Sequence, residues 1–145
     1  MKRPPVVLIT GSSRGVGRAC AIEFARLGCL VVINGAHNKE ALENTKAQIL
    51  ALGGQCAAIF SDVSTLNGAH DFISNAKKTF GEIDILINNA GISHIGLLTL
   101  SSVERNAFIS VSTAPRATAL TLIPLGASSL ASAIVKALIP PFVAE

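Results

Sequence analysis

A doubly wound α/β fold, with a parallel sheet and helices on both of its faces, is what this sequence predicts, on three observations. Short, mainly apolar runs, closed by glycine or polar residues, recur four times in the first 91 residues and read as strands buried on both faces. The segments between them carry apolar positions at helical spacing, mixed with charged residues. The polar residues then gather at 10–14, 34, 62 and 88–89, the carboxyl ends of the strands, where an open sheet of this kind holds its ligand.

Each element follows from its own residues. Val6-Val7-Leu8-Ile9-Thr10, ended by Gly11, reads as the first strand. Across 15–27 the apolar Val16, Ala19, Cys20, Ile22, Phe24 and Leu27 alternate with Arg18, Glu23 and Arg26 at helical spacing, and Gly28 closes that helix. Residues 30–33 form a second buried strand. Asn38 caps a helix to about Leu52, with Leu42, Ile49 and Leu52 on one face and Gly53-Gly54 at its end. A third strand over 57–60 ends at Asp62, a helix runs on to Phe80, and a fourth strand over 83–87 closes at Asn88-Asn89-Ala90-Gly91. Short links and right-handed crossovers arrange these strands in the order 3-2-1-4, with one further strand open.

The last stretch differs. Eighteen charged residues lie up to Asn106 and three beyond it, Arg116, Lys136 and Glu145. Ser101 and Glu104 form a capping-box pattern for a helix from Ser102 towards Ser112, stopped by Pro115. A strand over 117–123 and a helix over 128–139 are the further expectations. The organisation predicted is thus 1–100 as the portion of alternating strands and helices, and 101–145 as a divergent tail packed on the same domain.

Composition narrows the function classes. Half of the 145 residues are apolar and 14% charged, with a mean hydropathy of +0.53, which excludes disorder as the main state. No apolar run approaches the ~20 residues of a spanning helix, and the run after Met1-Lys2-Arg3 is too short for a secretory signal, so a cytoplasmic setting without membrane contact is expected. The net charge of +3 is scattered, and with no Tyr or Trp and no basic stripe, nucleic acid is not an expected partner. Cys20, Cys29 and Cys56 are odd in number and widely spaced, which points to buried free thiols rather than disulfides or zinc; no metal site is expected.

Chemistry concentrates in Thr10-Gly11-Ser12-Ser13-Arg14-Gly15-Val16-Gly17, between a strand and a helix. Gly11 permits the tight turn, while Gly15 and Gly17 let a pyrophosphate and the sheet approach the helix backbone. The free N–H groups and dipole of a helix starting near Gly15 favour an anion, the dipole contributing ~0.3–1 kcal/mol. The spacing is not that of a P-loop, since no Gly-Lys-Ser/Thr follows. A site selecting the ribose hydroxyl of NAD carries an acid at the end of the second strand. Here that strand ends Val32-Ile33-Asn34-Gly35-Ala36-His37, and Arg14 is placed to meet a 2′-phosphate, so NADP is favoured over NAD. As alternatives, Arg14 reads as an ordinary surface residue, Asp62 as a strand-end cap and Asn88-Asn89 as a turn.

The glycine motif of residues 10–17, Asp62-Val63 after the third strand and Asn88-Asn89-Ala90-Gly91 after the fourth together resemble a classical short-chain dehydrogenase/reductase. The wording of residues 51–54, 80–92 and 93–97 is most similar to the branch of bacterial 3-oxoacyl-carrier-protein reductases. The resemblance spans about residues 4–100 and implies a Rossmann-type sheet, truncated relative to the family, and NADP-dependent interconversion of a ketone and an alcohol on a small-molecule substrate. It implies further that Gly11, Ser13, Arg14, Gly15, Val16 and Gly17 wrap the phosphates, that Asp62 and Val63 contact the adenine, and that Asn89, Ala90 and Gly91 line the ribose and brace the central strand.

The sequence also departs from that family, whose longer members continue with a catalytic Asn, a Ser and Tyr-x-x-x-Lys, the phenol acting as general acid/base. This chain contains no tyrosine. Ser112 falls where the family has its Asn. Ser132, four residues before Lys136, is a poor stand-in for the Tyr, since an alkyl hydroxyl has a far higher pKa than the phenol's ~10. No catalytic residue is therefore assigned. The tail reads either as an altered terminus joined near Leu100 or as a shortened family ending. The functional expectation is an NADP-binding oxidoreductase by descent with little or no turnover; the alternative is a non-catalytic nucleotide-binding, regulatory or interaction protein. A homo-oligomer is expected only if the tail rebuilds the family's oligomer surface.

Overall fold

The central strand, β1 (Val6–Ile9), has all four side chains fully buried, which a strand achieves only when helices cover both faces. The computed structural model describes residues 3–91 and 110–113. After β1 come α1 (Gly15–Arg26), β2 (Leu30–Gly35), α2 (Lys39–Ala51), β3 (Gln55–Phe60), α3 (Leu66–Phe80), β4 (Ile85–Asn88) and β5 (Ser110–Thr113). The sheet order is β3-β2-β1-β4-β5, and β3, β2, β1 and β4 run parallel, as the alternation of strands and helices predicts. Val6 pairs with Leu30 and Ile9 with both Ile33 and Ile87, so the strand ends that carry polar residues finish level with one another.

Each face has its own core. Ile9, Ile33 and Ile87 pack with Phe24 and Cys20 of α1 and Leu42 and Ile49 of α2 on one side. Val6, Leu8 and Val32 pack with Phe72 and Ala76 of α3 on the other. Each large side chain buried in this way contributes ~1.5–3 kcal/mol relative to exposure. Asn38 caps α2 as its sequence position predicts, its Oδ1 accepting from the Ala41 N–H at 2.9 Å.

Several boundaries and one element differ from the sequence reading; β2, expected over 30–33, runs on to Gly35. β3 begins at Gln55, and β4 at Ile85, just after Asp84, whose backbone N–H donates to the Val6 carbonyl at 3.0 Å. Its carboxylate accepts from the Val6 N–H at 2.7 Å and from both Arg3 guanidinium nitrogens at 2.7 and 3.0 Å. The helix expected from Ser102 towards Ser112 is corrected at its far end. Residues 110–113 form β5, antiparallel to β4, with Ser112 opposite Leu86. The capping box is a local signal, whereas Ser-Val-Ser-Thr is rich in residues that suit a strand, and the open edge of β4 offers it a ladder. The remaining expectations of the tail, 102–109, 117–123 and 128–139, lie outside the described residues.

The three cysteines are free. Burial pushes the Cys20 thiol up to about 11 and that of Cys56 up to about 12, and raises that of Cys29. A thiol held neutral in this way adds to stability below its unfolded pKa, and that contribution drains away as the pH climbs towards the folded value. The urea midpoint is therefore expected to fall from about pH 9 upwards, more steeply than in a Cys20→Ala/Cys56→Ala variant. Equal slopes for the two proteins would contradict this.

Candidate nucleotide site

The carboxyl ends of β1, β2, β3 and β4 border a cleft of about 600 Å³. Its floor is built largely from backbone. At the end of β1 the Thr10 N–H donates to the Ile87 carbonyl at 3.0 Å, and Thr10 Oγ1 accepts from the N–H groups of Asn89 at 3.0 Å and Ala90 at 2.9 Å. Asn89 Nδ2 returns two bonds, to the carbonyls of Thr10 at 3.0 Å and Gly11 at 2.9 Å. The glycine loop is thereby clamped onto the strand end after β4.

That clamp dictates the glycines. Gly11 has φ +61°, and a Cβ there would lie 2.8 Å from Ala90 Cα. A Cβ on Gly17 would strike Asn89 Nδ2 and sit 2.7 Å from the Gly11 carbonyl oxygen. Gly15 meets nothing within 4 Å and is required by its φ of +60° alone. Arg14 is the N-cap of α1 in extended conformation; no side chain caps this end, and no acid occupies the first turn. A helix end of this kind leaves N–H groups and positive dipole available to an anion.

The other walls come from β2 and β3. Ser12 is buried, its Oγ donating to the Ile9 carbonyl and accepting from the Asn34 N–H, each at 2.8 Å. Thr45 Oγ1 on α2 donates to the Ser13 carbonyl at 3.1 Å. Past β3, Asp62 Oδ1 accepts from Ser64 Oγ at 2.7 Å and Ser64 N at 3.0 Å. Those two bonds, with a smaller contribution from nearby His37, hold the Asp62 carboxyl below its usual range, so it is ionised at neutral pH. The Asp62 carbonyl also anchors Thr65, the N-cap of α3. Asp62 is therefore both a strand-end turn former and a cleft residue.

Of the residues singled out in the sequence, Gly11, Ser13, Arg14, Asp62, Val63, Asn89, Ala90 and Gly91 line the cleft. Gly15, Val16 and Gly17 belong instead to the first turn of α1, with Val16 packed against the core and Gly17 buried. Gly35, His37, Asn38, Ala41 and Ser64 line the cleft unforeseen. Asn34, which the sequence places among the polar residues at the ligand end of the sheet, lines it too. Among the described residues no group of His, Cys, Asp or Glu is arranged to hold a metal, and no helix is long and apolar enough to cross a membrane.

The profile of the family described as "short chain dehydrogenase" matches residues 5–123. The chain belongs to that family. L-rhamnose 1-dehydrogenase (NAD(P)(+)) of Sphingomonas sp. (strain SKA58) is 44% identical over 86 residues, 59% of this chain and 34% of that protein. Short-chain dehydrogenase/reductase homolog YusS of Bacillus subtilis (strain 168) is 38% identical over 102 residues, 70% of this chain and 94% of that protein. Among solved structures, a metagenomic short-chain oxidoreductase in complex with NADP is 34% identical with a TM-score of 0.57, covering 61% of this chain and 39% of that one. This short-chain dehydrogenase relative thus spans between 33% and 40% of the length of the first curated proteins it matches, YusS apart. Its sheet has the Rossmann-type arrangement of the family.

The glycine contacts yield a graded expectation. Gly17→Ala should lower stability by about 1–3 kcal/mol through overpacking, and Gly15→Ala by about 1–2 kcal/mol through the left-handed backbone alone. Only Gly17→Ala should also displace the amide signals of Asn89 and Ala90 in a heteronuclear NMR spectrum. A Gly17→Ala protein with unmoved signals and an unchanged urea midpoint would refute the clamp.

Proposed function

We propose that this chain binds NADP in the cleft, with Gly11, Ser13, Arg14, Gly15, Val16 and Gly17 around the phosphates, Asp62 and Val63 against the adenine, and Asn89, Ala90 and Gly91 along the ribose. The observation that carries the reading is the uncapped, acid-free start of α1 beside a cleft that Arg14 also lines. Arg14 supplies planar donors to a 2′-phosphate, and β2 ends at Gly35 without the acid that would prefer the ribose hydroxyl. The named rhamnose relative uses either cofactor by its own description, so this preference rests on the chain's own residues. The bound cofactor would supply hydride to a carbonyl as NADPH, or take it from an alcohol as NADP+; the residues described here would bind and orient it.

The ancestral reaction is interconversion of a carbonyl and an alcohol on a small molecule. We assign this chain little or no turnover by itself, because its 145 residues include no tyrosine to move the substrate proton. The same fact favours the second reading, a non-catalytic NADP-binding or regulatory protein. Of the stretch 101–145, the described residues 110–113 join the same sheet through the pairing of β5 with β4. Its three free thiols suit a reducing, cytoplasmic setting.

Titration with NADPH and NADH, followed by nicotinamide fluorescence, tests the proposal. NADPH is expected to bind in the micromolar range, with ketone reduction absent or very slow, and failure of both cofactors to bind would sink it. Arg14→Ala should cost NADPH about tenfold, the worth of one charge-assisted hydrogen bond, and leave NADH nearly unchanged. Gly35→Asp should reverse the preference. The nearest atoms to a Cβ at 35 are in the Ser13 and Leu42 side chains at 3.4–3.6 Å, ordinary contact distances, and a carboxylate on this position would receive the ribose hydroxyls and repel a phosphate.

A further inference from the structure

The geometry points to Asn34 as the positioning residue that sets the span of the nucleotide cleft, by tying its phosphate loop to the strand end that carries Asp62 and Val63; this rests on the nucleotide reading above. Asn34 is 1% exposed, one residue before the end of β2. Its Oδ1 accepts from the Gly11 N–H at 3.4 Å. Its Nδ2 donates to the Ser61 carbonyl at 2.9 Å, to Ser61 Oγ at 3.0 Å and towards the Ile59 carbonyl at 3.3 Å.

The amide can face only one way. Carbonyl oxygens accept and never donate, so the nitrogen must turn to Ser61 and Ile59; the Gly11 N–H can only donate, so the oxygen must turn to the loop. One planar group thereby holds a donor towards β3 and an acceptor towards the glycine loop. Serine or threonine has a single oxygen and cannot span both walls, and an ionised aspartate has no donor for the β3 side. The backbone locks the same register, with the Ser12 N–H donating to the Asn34 carbonyl at 2.8 Å and the Ser61 N–H to the Gly35 carbonyl at 3.1 Å. Position 34 is therefore closed to the ribose, and its amide instead determines how far apart the two walls stand.

Asn34→Asp separates this role from mere packing. The ionised carboxylate would face the Ser61 and Ile59 carbonyls and be repelled, whereas the protonated acid can donate as the amide does. NADP+ affinity of the full chain, parent and variant, is to be measured by calorimetry at several pH values, and their ratio taken. The 2′-phosphate of the ligand and the titratable groups of the cleft, Arg14, His37 and Asp62, are common to both proteins and cancel in that ratio. At about pH 8 the variant should bind about 10–100-fold more weakly than the parent, and at about pH 5 within about threefold of it.

Asn34→Ala, which cannot be rescued by a proton, should keep a deficit of about tenfold at both values. A ratio for Asn34→Asp that does not change with pH, or full affinity at the higher pH, overturns the inference while the parent still binds. A parent that binds neither NADP+ nor NAD+ overturns the nucleotide reading itself. Should Asn34→Asp not fold at the higher pH, Asn34→Ser decides. With parent-like far-UV circular dichroism it should bind NADP+ about tenfold more weakly at both values, and affinity within about twofold of the parent would overturn the role.

Discussion

Everything at the cleft depends on how closely the glycine loop lies against the end of β4. Thr10 Oγ1 gathers two backbone N–H groups from Asn89 and Ala90, and the Asn89 amide caps two carbonyls of the loop. These bonds use no charge and leave no buried side-chain polar atom unsatisfied among the described residues. Because the approach is so tight, side chains at 11 and 17 are excluded by contact, at 11 in addition to its left-handed backbone. The direction of α1, and with it the position of the free N–H groups at its start, follows from that packing.

The consequence is a cleft with few charged side chains. Among the cleft residues the ionisable ones are Arg14, His37 and Asp62, and Asp62 spends one carboxylate oxygen on the turn into α3. A site of this kind is suited to a ligand with repeated phosphates, for which dipoles and N–H groups are good partners. Discrimination among such ligands is left to a few positions at the ends of β2 and the loop.

The parallel part of the fold was legible because its signals are local and redundant. A charge-free run such as Val6–Ile9 can be little but a buried strand, and Asn38 and the glycine loop mark helix starts by their own chemistry. The glycine loop, Asp62-Val63 and Asn89–Gly91 were found as motifs for the same reason. Asn34 escaped because its importance lies in partners 23–27 residues away, at Gly11, Ile59 and Ser61, which no window of sequence brings together. Asp84 escaped likewise, since its carboxylate answers to Arg3, 81 positions distant. Residues 110–113 were misread because a helix-capping pattern upstream is a short-range preference, while the ladder offered by β4 is a tertiary one.

Cys20 and Cys29 are buried and Cys56 is half-buried, which favours the neutral thiol at all three. With Cys20 and Cys56 raised to about 11 and about 12 and Cys29 raised as well, the population of reactive thiolate is far below that of an exposed cysteine. An extra cysteine placed at a solvent-facing site would therefore outcompete all three native ones for an alkylating dye or spin label. Pairs of such labels on the two walls of the cleft would report the distance between them by spectroscopy.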